Sequence, residues 1–111
     1  MDGRRYISVI LPLKLEWEPC YYIDPSEDIE VGKRVRVKFA GKEYVGVVSG
    51  VDITPDIAAS KIQSIISVEA AMEKIRIEEI QLWRRVAEYY LCTVGEVYKA
   101  AYPLMKVNME E

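Results

Sequence analysis

Three cations occupy alternate positions in one short segment of the chain. Arg34, Arg36 and Lys38 alternate with three apolar residues. Because successive side chains of a β-strand point to opposite faces, this spacing predicts a strand with a cationic outer face and an apolar inner face. The residues expected to face inward are Val35, Val37 and Phe39. Arg and Lys side chains bind phosphate oxygens, so the pattern indicates contact with a polyanion. The same residues also fit an ordinary solvated strand whose lysines protect a sheet edge.

The charge of the chain is unevenly distributed around this segment. The 111 residues carry a net charge of −3, yet residues 32–68 carry a net charge of +3. Residues 1–31 and 69–111 carry net charges of −4 and −2, respectively. A local positive field can attract phosphate even when the whole protein is acidic. The basic middle segment is therefore where a polyanion is expected to bind.

The composition argues against catalysis by this chain. It contains no histidine, so histidine acid–base chemistry and histidine metal sites are excluded. Cys20 and Cys92 are far apart in sequence, and two cysteines do not form a zinc cluster, so we interpret them as reduced, buried thiols of a cytosolic protein. No G-x-x-x-x-G-K-[ST] phosphate loop is present. We expect no catalytic residue, no metal site and no cofactor, and the apolar runs are too short to span a membrane.

The elements that position the cations read as strands in the first part of the chain and helices in the second. The fold predicted is α+β, a small OB-like β-barrel over residues 1–68 with two helices over residues 69–111 packed on it. A hairpin over residues 31–51 turns at Ala40, Gly41 and Lys42, since glycine tolerates the backbone of a tight turn. Further strands are expected at residues 6–15, 20–23 and 61–68, with a helical turn beginning near Asp56.

Helical periodicity begins after residue 70. Apolar residues recur at steps of three and four, which predicts an amphipathic helix with Trp83 in the core and Arg84 paired to Glu88. The apolar stripe is Ile77, Ile80, Trp83, Val86, Ala87, Tyr90 and Leu91. Tyr90 is expected inside and Tyr89 partly exposed. Thr93 and Glu96 have the spacing of a capping box, so a second helix is predicted from Val94 to about residue 101. Residues 104–111 are expected to be a frayed end.

Several short motifs occur along nearly the whole chain in a fixed order. They are VILPL at 9–13, YIDP at 22–25, VGKRVRVKF at 31–39, GVV at 46–48, LWRRVAEYY at 82–90, GEV at 95–97 and AYP at 101–103. In this order and spacing they resemble the N-terminal DNA-binding domain of the primosomal replication protein N′ family, the PriA replication-restart helicases. The similarity covers residues 6–104.

The resemblance implies a module that recognises the 3′ end of the nascent leading strand at a stalled replication fork. It would target an ATP-dependent 3′–5′ DNA helicase for primosome assembly and replication restart in the cytoplasm. Branched DNA with a free 3′ end is the expected partner, with primosome and single-strand-binding proteins engaged through the full-length protein. ATP, Mg and Zn are expected only in the helicase region, which these residues do not contain.

The resemblance also implies a shallow pocket for the terminal base. Its aromatic and acidic positions fall on Cys20 and Tyr21, so the acidic group is replaced by a phenol that offers stacking instead. The small residue after the basic strand falls on Ala40 or Gly41. A family lysine aligns with Gln63, and Lys61 stands two residues before it. With Arg34, Arg36, Lys38 and Lys42 as phosphate contacts, these positions form the predicted DNA-binding set.

The sequence also leaves open the role of two aromatic residues and two alternative functions. Trp17 and Tyr21 lie outside any helical stripe, so exposed rings that stack on nucleic acid are one interpretation of them. An RNA- or ribosome-binding small barrel is an alternative function, since V-x-V…G-x-V hairpins are common in such proteins. A protein-interaction domain is another, and an exposed stripe of Tyr89, Tyr98 and Tyr102 would support it.

Overall fold

The computed structural model describes residues 5–55 and 57–102. They form six strands, one 3-10 turn and two α-helices. The strands are β1 (Arg5–Ile10), β2 (Cys20–Ile23), β3 (Arg34–Phe39), β4 (Lys42–Val51), β5 (Gln63–Ser64) and β6 (Ser67–Val68). The 3-10 turn is Ala59–Lys61, and the helices are α1 (Ile77–Tyr90) and α2 (Val94–Ala101).

The strands form one curled sheet in the order β5-β2-β1-β4-β3-β6. All pairs are antiparallel except β2 with β5, which are parallel. The two edge strands are consecutive in sequence, so the short segment 63–68 joins both edges of the sheet. The Ile65 amide donates to the Tyr22 carbonyl at 3.2 Å, and the next amide, of Ile66, donates to the Arg36 carbonyl at 2.7 Å. The sheet therefore curls until one bridging segment meets both of its sides.

Two apolar cores lie on opposite faces of this sheet. The inner core is enclosed by the curl and consists of Ile7, Val9, Leu11, Tyr21, Ile23, Ile29, Val35, Val37 and Val48. The outer core lies between the sheet and the helices and consists of Ile10, Val47, Ile75, Ile80, Trp83 and Tyr98. Strand β4 contributes Val48 to the first core and Val47 to the second, so it is buried on both faces. Such strands read as continuous apolar runs rather than as alternation.

The helices are fixed to the sheet by aromatic packing and one close backbone approach. Trp83 is buried, as predicted, and stacks on Tyr98 with 5.3 Å between ring centroids. The Tyr98 hydroxyl donates to the Val45 carbonyl at 2.9 Å. At Gly95, a Cβ atom would lie 2.3 Å from the Leu11 carbonyl oxygen, so the start of α2 rests directly on the loop after β1.

The predicted bounds of α2 are confirmed, whereas the predicted burial along α1 is confirmed only in part. Helix α2 begins and ends as predicted, and the capping box between Thr93 and Glu96 is present. On α1, however, the predicted apolar stripe is only partly buried. Tyr90 is exposed, as is Tyr89, so the prediction that Tyr90 faces inward is wrong. The helix ends there with Leu91 in the left-handed conformation, and Leu91 is itself almost fully exposed.

The remaining strand predictions are confirmed in part. Strand β2 has the predicted bounds, whereas β1 stops at Ile10, before the proline that cannot donate to a sheet ladder. Residues 61–68 form two short strands with different partners instead of one. The prediction that Asp56 begins a helical turn and the prediction for residues 104–111 fall outside the described residues. A curled sheet followed by two helices confirms the α+β, OB-like class. None of the helices described could span a bilayer.

Candidate nucleic-acid interface

The hairpin of β3 and β4 positions the predicted basic residues. Its two-residue loop is Ala40–Gly41, with φ of 53° and 82°, as in the type I′ turns that suit the twist of a hairpin. Phe39 lies opposite Lys42, and Lys38 lies opposite Glu43. Directly opposed residues share a sheet face, so Lys42 is on the face of Phe39 and Lys38 is on the other face.

Arg34 does not face solvent, and its predicted outward orientation is wrong. The residue is 8% exposed, and its guanidinium carbon lies 4.6 Å from the centroid of the Tyr102 ring. Its Nη1 donates to the Met72 sulfur at 3.6 Å. The alternation along β3 holds, but the outer face at this end of the strand is covered by the helical part of the protein. Arg34 is therefore a packed cation that supports the join between sheet and helices.

Arg36 is oriented outward but is already paired. Its Nε donates to Glu69 Oε2 at 3.0 Å, and its Nη1 lies 3.7 Å from Glu43 Oε1. Glu69 directly follows β6, which places its carboxylate beside β3. A phosphate would have to displace these carboxylates to bind Arg36, so this arginine is less available than the sequence indicated.

Lys38 and Lys42 are the available cations of the hairpin. Both are exposed, and neither forms an ion pair within residues 5–55 and 57–102. They flank the Ala40–Gly41 loop on opposite faces of the hairpin. We call Lys38, Ala40, Gly41 and Lys42 the basic tip. The basic tip presents two solvated ammonium groups around a loop with little side-chain bulk.

Tyr21 is buried, so its predicted exposure is wrong. It is 3% exposed, and its hydroxyl crosses the inside of the curl to donate to the Lys38 carbonyl at 3.0 Å. Burial raises the pKa of the Tyr21 phenol to about 12. A ring enclosed in this way does not offer a face to a base. Tyr21 instead ties the start of β2 to the end of β3, directly below the basic tip.

The other predicted pocket residues lie around the same end of the sheet. Gln63 is exposed and pairs in register with Tyr21, and Lys61 ends the 3-10 turn just before it. Cys20 and Cys92 are not joined in a disulfide, as predicted, but they are half-buried and not fully buried. The structure thus gathers Cys20, Tyr21, Lys61, Gln63 and the basic tip at one end of the curled sheet. It places Arg34 and Arg36 on the outer face, towards the helices and β6.

Trp17 is exposed at this end of the sheet, as predicted, although it was not included in the predicted binding set. Its side chain is 57% exposed, and its ring centroid lies 5.8 Å from that of Phe39 in a tilted arrangement. Phe39 is the last residue of β3, so this contact brings the loop before β2 against the basic tip. The signal for this placement was a tryptophan in a polar loop with no periodic apolar partners.

The loop that carries Trp17 is fixed to α1 through the carboxylate of Glu18. Arg84 donates to both oxygens of Glu18, at 2.7 and 3.2 Å, and Ser49 Oγ donates to Glu18 Oε1 at 2.7 Å. Burial raises the pKa of Glu18, but the hydrogen bonds from Arg84 and Ser49 outweigh it and leave the pKa lowered. The predicted pairing of Arg84 with Glu88 is therefore wrong. The sequence contained no local signal for a partner 66 residues away.

The exposed tyrosine stripe that would have supported a protein-interaction domain is not formed. Tyr98 is completely buried and Tyr102 is half-buried, with its hydroxyl donating to Glu79 at 2.9 Å. Tyr89 is exposed, alongside Tyr90 on α1. The observation that would have supported a protein-interaction domain through these three tyrosines is thus missing.

Comparison with known proteins assigns the family. The family model described as the 3′ DNA-binding domain (3′BD) of PriA matches residues 8–103. The chain is also 26% identical over 100 residues to the replication restart protein PriA of Rickettsia prowazekii (strain Madrid E), an alignment that covers 90% of this chain and 15% of that relative. With most of its length matched, the chain belongs to the PriA 3′ DNA-binding domain family.

Proposed function

We propose that this domain recognises the 3′ end of the nascent leading strand at stalled replication forks and directs an ATP-dependent 3′–5′ helicase there for primosome assembly and replication restart. The observation that carries the proposal is the basic tip, where Lys38 and Lys42 are exposed beside an exposed tryptophan. Family membership supports DNA as the ligand.

Phosphate binding at the basic tip follows from its geometry. The two ammonium groups stand on opposite faces of one narrow hairpin, so a DNA backbone can contact both while the Ala40–Gly41 loop lets it approach closely. Such contacts position DNA without reading sequence, and they weaken as salt rises because counterion release then becomes less favourable. Lys61, near Gln63, extends the basic surface toward β5.

Arg34 and Arg36 contribute less to DNA binding in this proposal than the two lysines of the basic tip. Arg34 supports the fold through Tyr102 and Met72. Arg36 is held by Glu69 and Glu43, so it contributes to DNA binding only by exchanging a carboxylate for a phosphate. Tyr21 in turn places no hydrogen-bonding group at the surface, so it does not take over the contact to the edge of a base that the acidic residue makes in the family.

In this proposal, the helicase activity of a whole PriA protein is not assigned to these residues. This chain spans about 15% of the length of the PriA relative that it matches. ATP hydrolysis, the metals that accompany it and contacts with primosome proteins are assigned to the remainder, in a cytoplasmic complex. The 111 residues of this chain supply DNA targeting and no catalysis.

A binding titration on forked DNA tests the proposal. Forks identical except for a 3′ hydroxyl or a 3′ phosphate on the nascent leading strand are compared at two salt concentrations. We expect tighter binding to the hydroxyl fork and weaker binding of both at the higher salt. Equal affinity for the two forks would remove end recognition. Stronger binding to a structured RNA competitor would instead favour an RNA-binding barrel.

A further inference from the structure

Trp17 borders both a basic surface and an acidic one. Its ring contacts Phe39, and Lys42 lies directly opposite Phe39 on the same hairpin face. Trp17 also lines a cleft of about 450 Å³ whose wall includes Glu16, Glu88 and the ion pair between Glu18 and Arg84. Neither Glu16 nor Glu88 forms an ion pair with any residue in the described ranges. Because Glu18 and Arg84 neutralise each other, Glu16 and Glu88 leave this cleft with a net negative charge, and the ring lies between the cleft and the end of the hairpin that carries Lys42.

The loop that carries this exposed ring is anchored, and the ring itself packs against Phe39. The next residue, Glu18, is held by two hydrogen bonds from Arg84 and one from Ser49. These contacts anchor the loop to both the sheet and α1. A side chain that is held before its ligand arrives loses less conformational entropy on binding. Trp17 therefore has both the exposure and the support that a stacking platform requires.

We infer that the terminal nucleotide of the DNA strand stacks on Trp17, with its phosphate toward Lys42 and its terminal hydroxyl toward Glu16 and Glu88. The inference rests on the proposed function, which supplies the strand polarity, and it deepens that function by assigning the residues that recognise a strand end. An internal nucleotide would carry phosphate on both sides and place one of them against the carboxylates. Like charges repel, so the arrangement favours a strand that ends at the ring.

This mode of recognition differs from reading the edge of a base. Stacking tolerates every base, because each has a flat π-face. The buried Tyr21 leaves no acidic group at the aligned position, and the charge boundary at Trp17 provides another means of selecting an end. The chain would then bind any terminal base with similar affinity and discriminate against a terminal phosphate.

Substitution of Trp17 tests whether the terminal base stacks on its ring. Trp17→Ala should weaken binding to the 3′-hydroxyl fork about tenfold, whereas Trp17→Phe, which keeps a flat ring, should stay within about threefold of the wild type. Because the side chain is more than half exposed, both variants should keep the thermal midpoint of the wild type. A Trp17→Ala variant that folds and binds as tightly as the wild type would overturn the inference.

Substitution of the carboxylates tests the end discrimination. The double variant Glu16→Gln, Glu88→Gln should bind the 3′-phosphate fork more tightly and reduce the hydroxyl-to-phosphate affinity ratio at least about threefold. Glu73→Gln, at an exposed position outside this cleft, is the matched control and should leave the ratio unchanged. A ratio that stays the same in the double variant refutes the inference alone. A wild-type domain that binds neither fork refutes the proposed function, and the inference with it.

Discussion

Replacing Lys38 and Lys42 together with glutamine should sharply reduce the salt dependence of DNA binding. Both side chains are exposed and neither is held by a carboxylate within the described residues, so both are available to neutralise phosphates. Each phosphate that a lysine neutralises releases the counterions condensed on the DNA. Arg36 differs because Glu69 already neutralises it at 3.0 Å, so a phosphate that displaces Glu69 gains little from counterion release.

The size of the effect follows from this count of available cations. Each phosphate contact contributes roughly 0.7–0.9 to the slope of log affinity against log salt, depending on whether the DNA is single- or double-stranded. Loss of two contacts should lower the slope by about 1.4–1.8. Between roughly 50 and roughly 200 mM salt, the affinity of the variant should therefore fall about 7- to 12-fold less than that of the wild type.

Fluorescence anisotropy on a labelled fork, titrated at four or more salt concentrations, measures this slope. Lys99→Gln is the matched control, since Lys99 is an exposed lysine on α2, which packs against α1 and β1. Arg36→Gln is the informative comparison and should change the slope by less than about 0.3. The reasoning is refuted if Arg36→Gln lowers the slope as much as the double lysine variant, or if Lys99→Gln does so.

Three further predictions concern stability. Ala40→Asn should raise the free energy of unfolding by about 0.5–1 kcal/mol in a denaturant titration, because Ala40 has φ of 53° and Asn-Gly suits this turn; a decrease would contradict it. Gly95→Ala should lower it by about 3 kcal/mol, because the added Cβ would lie 2.2 and 2.3 Å from the carbonyl oxygens of Leu13 and Leu11; an unchanged thermal midpoint would show that α2 shifts freely. Tyr21 has a pKa raised to about 12, above its unfolded value of about 10, so its contribution to stability is complete below pH ~10 and is lost as pH rises toward 12. Tyr21→Phe should therefore show a shallower loss of stability across that range, and an identical loss would argue against burial of the phenol.

Local signals in the sequence were sufficient to predict much of the secondary structure. The bounds of β2 and α2 are as predicted, because a turn at Asp24 and a capping box at Thr93 define them within a few residues. Trp83 was assigned to the core from its helical spacing alone, and it is buried. The order of the short motifs was also sufficient to predict the family, whose model matches residues 8–103.

The environment of the candidate site depended on contacts between distant residues. Alternation along β3 correctly separates two faces, but it carries no information on what covers each face. The helical part covers Arg34, and Glu69 reaches Arg36 from a segment 33 residues further along. Alternation also left open whether Tyr21 points into solvent or across the sheet. Its hydrogen bond to Lys38 exists only because the sheet curls far enough to bring β2 and β3 together.

The bridging segment at residues 63–68 has a consequence for how the molecule opens. Neighbouring amides, those of Ile65 and Ile66, are bonded to opposite sides of the barrel wall, at Tyr22 and Arg36. If this short segment detaches, both hydrogen bonds break together. The two amides are therefore expected to exchange with deuterium at a shared rate. The same stretch occupies the backbone positions onto which a strand from another molecule would have to add, and so limits growth of the sheet by intermolecular pairing.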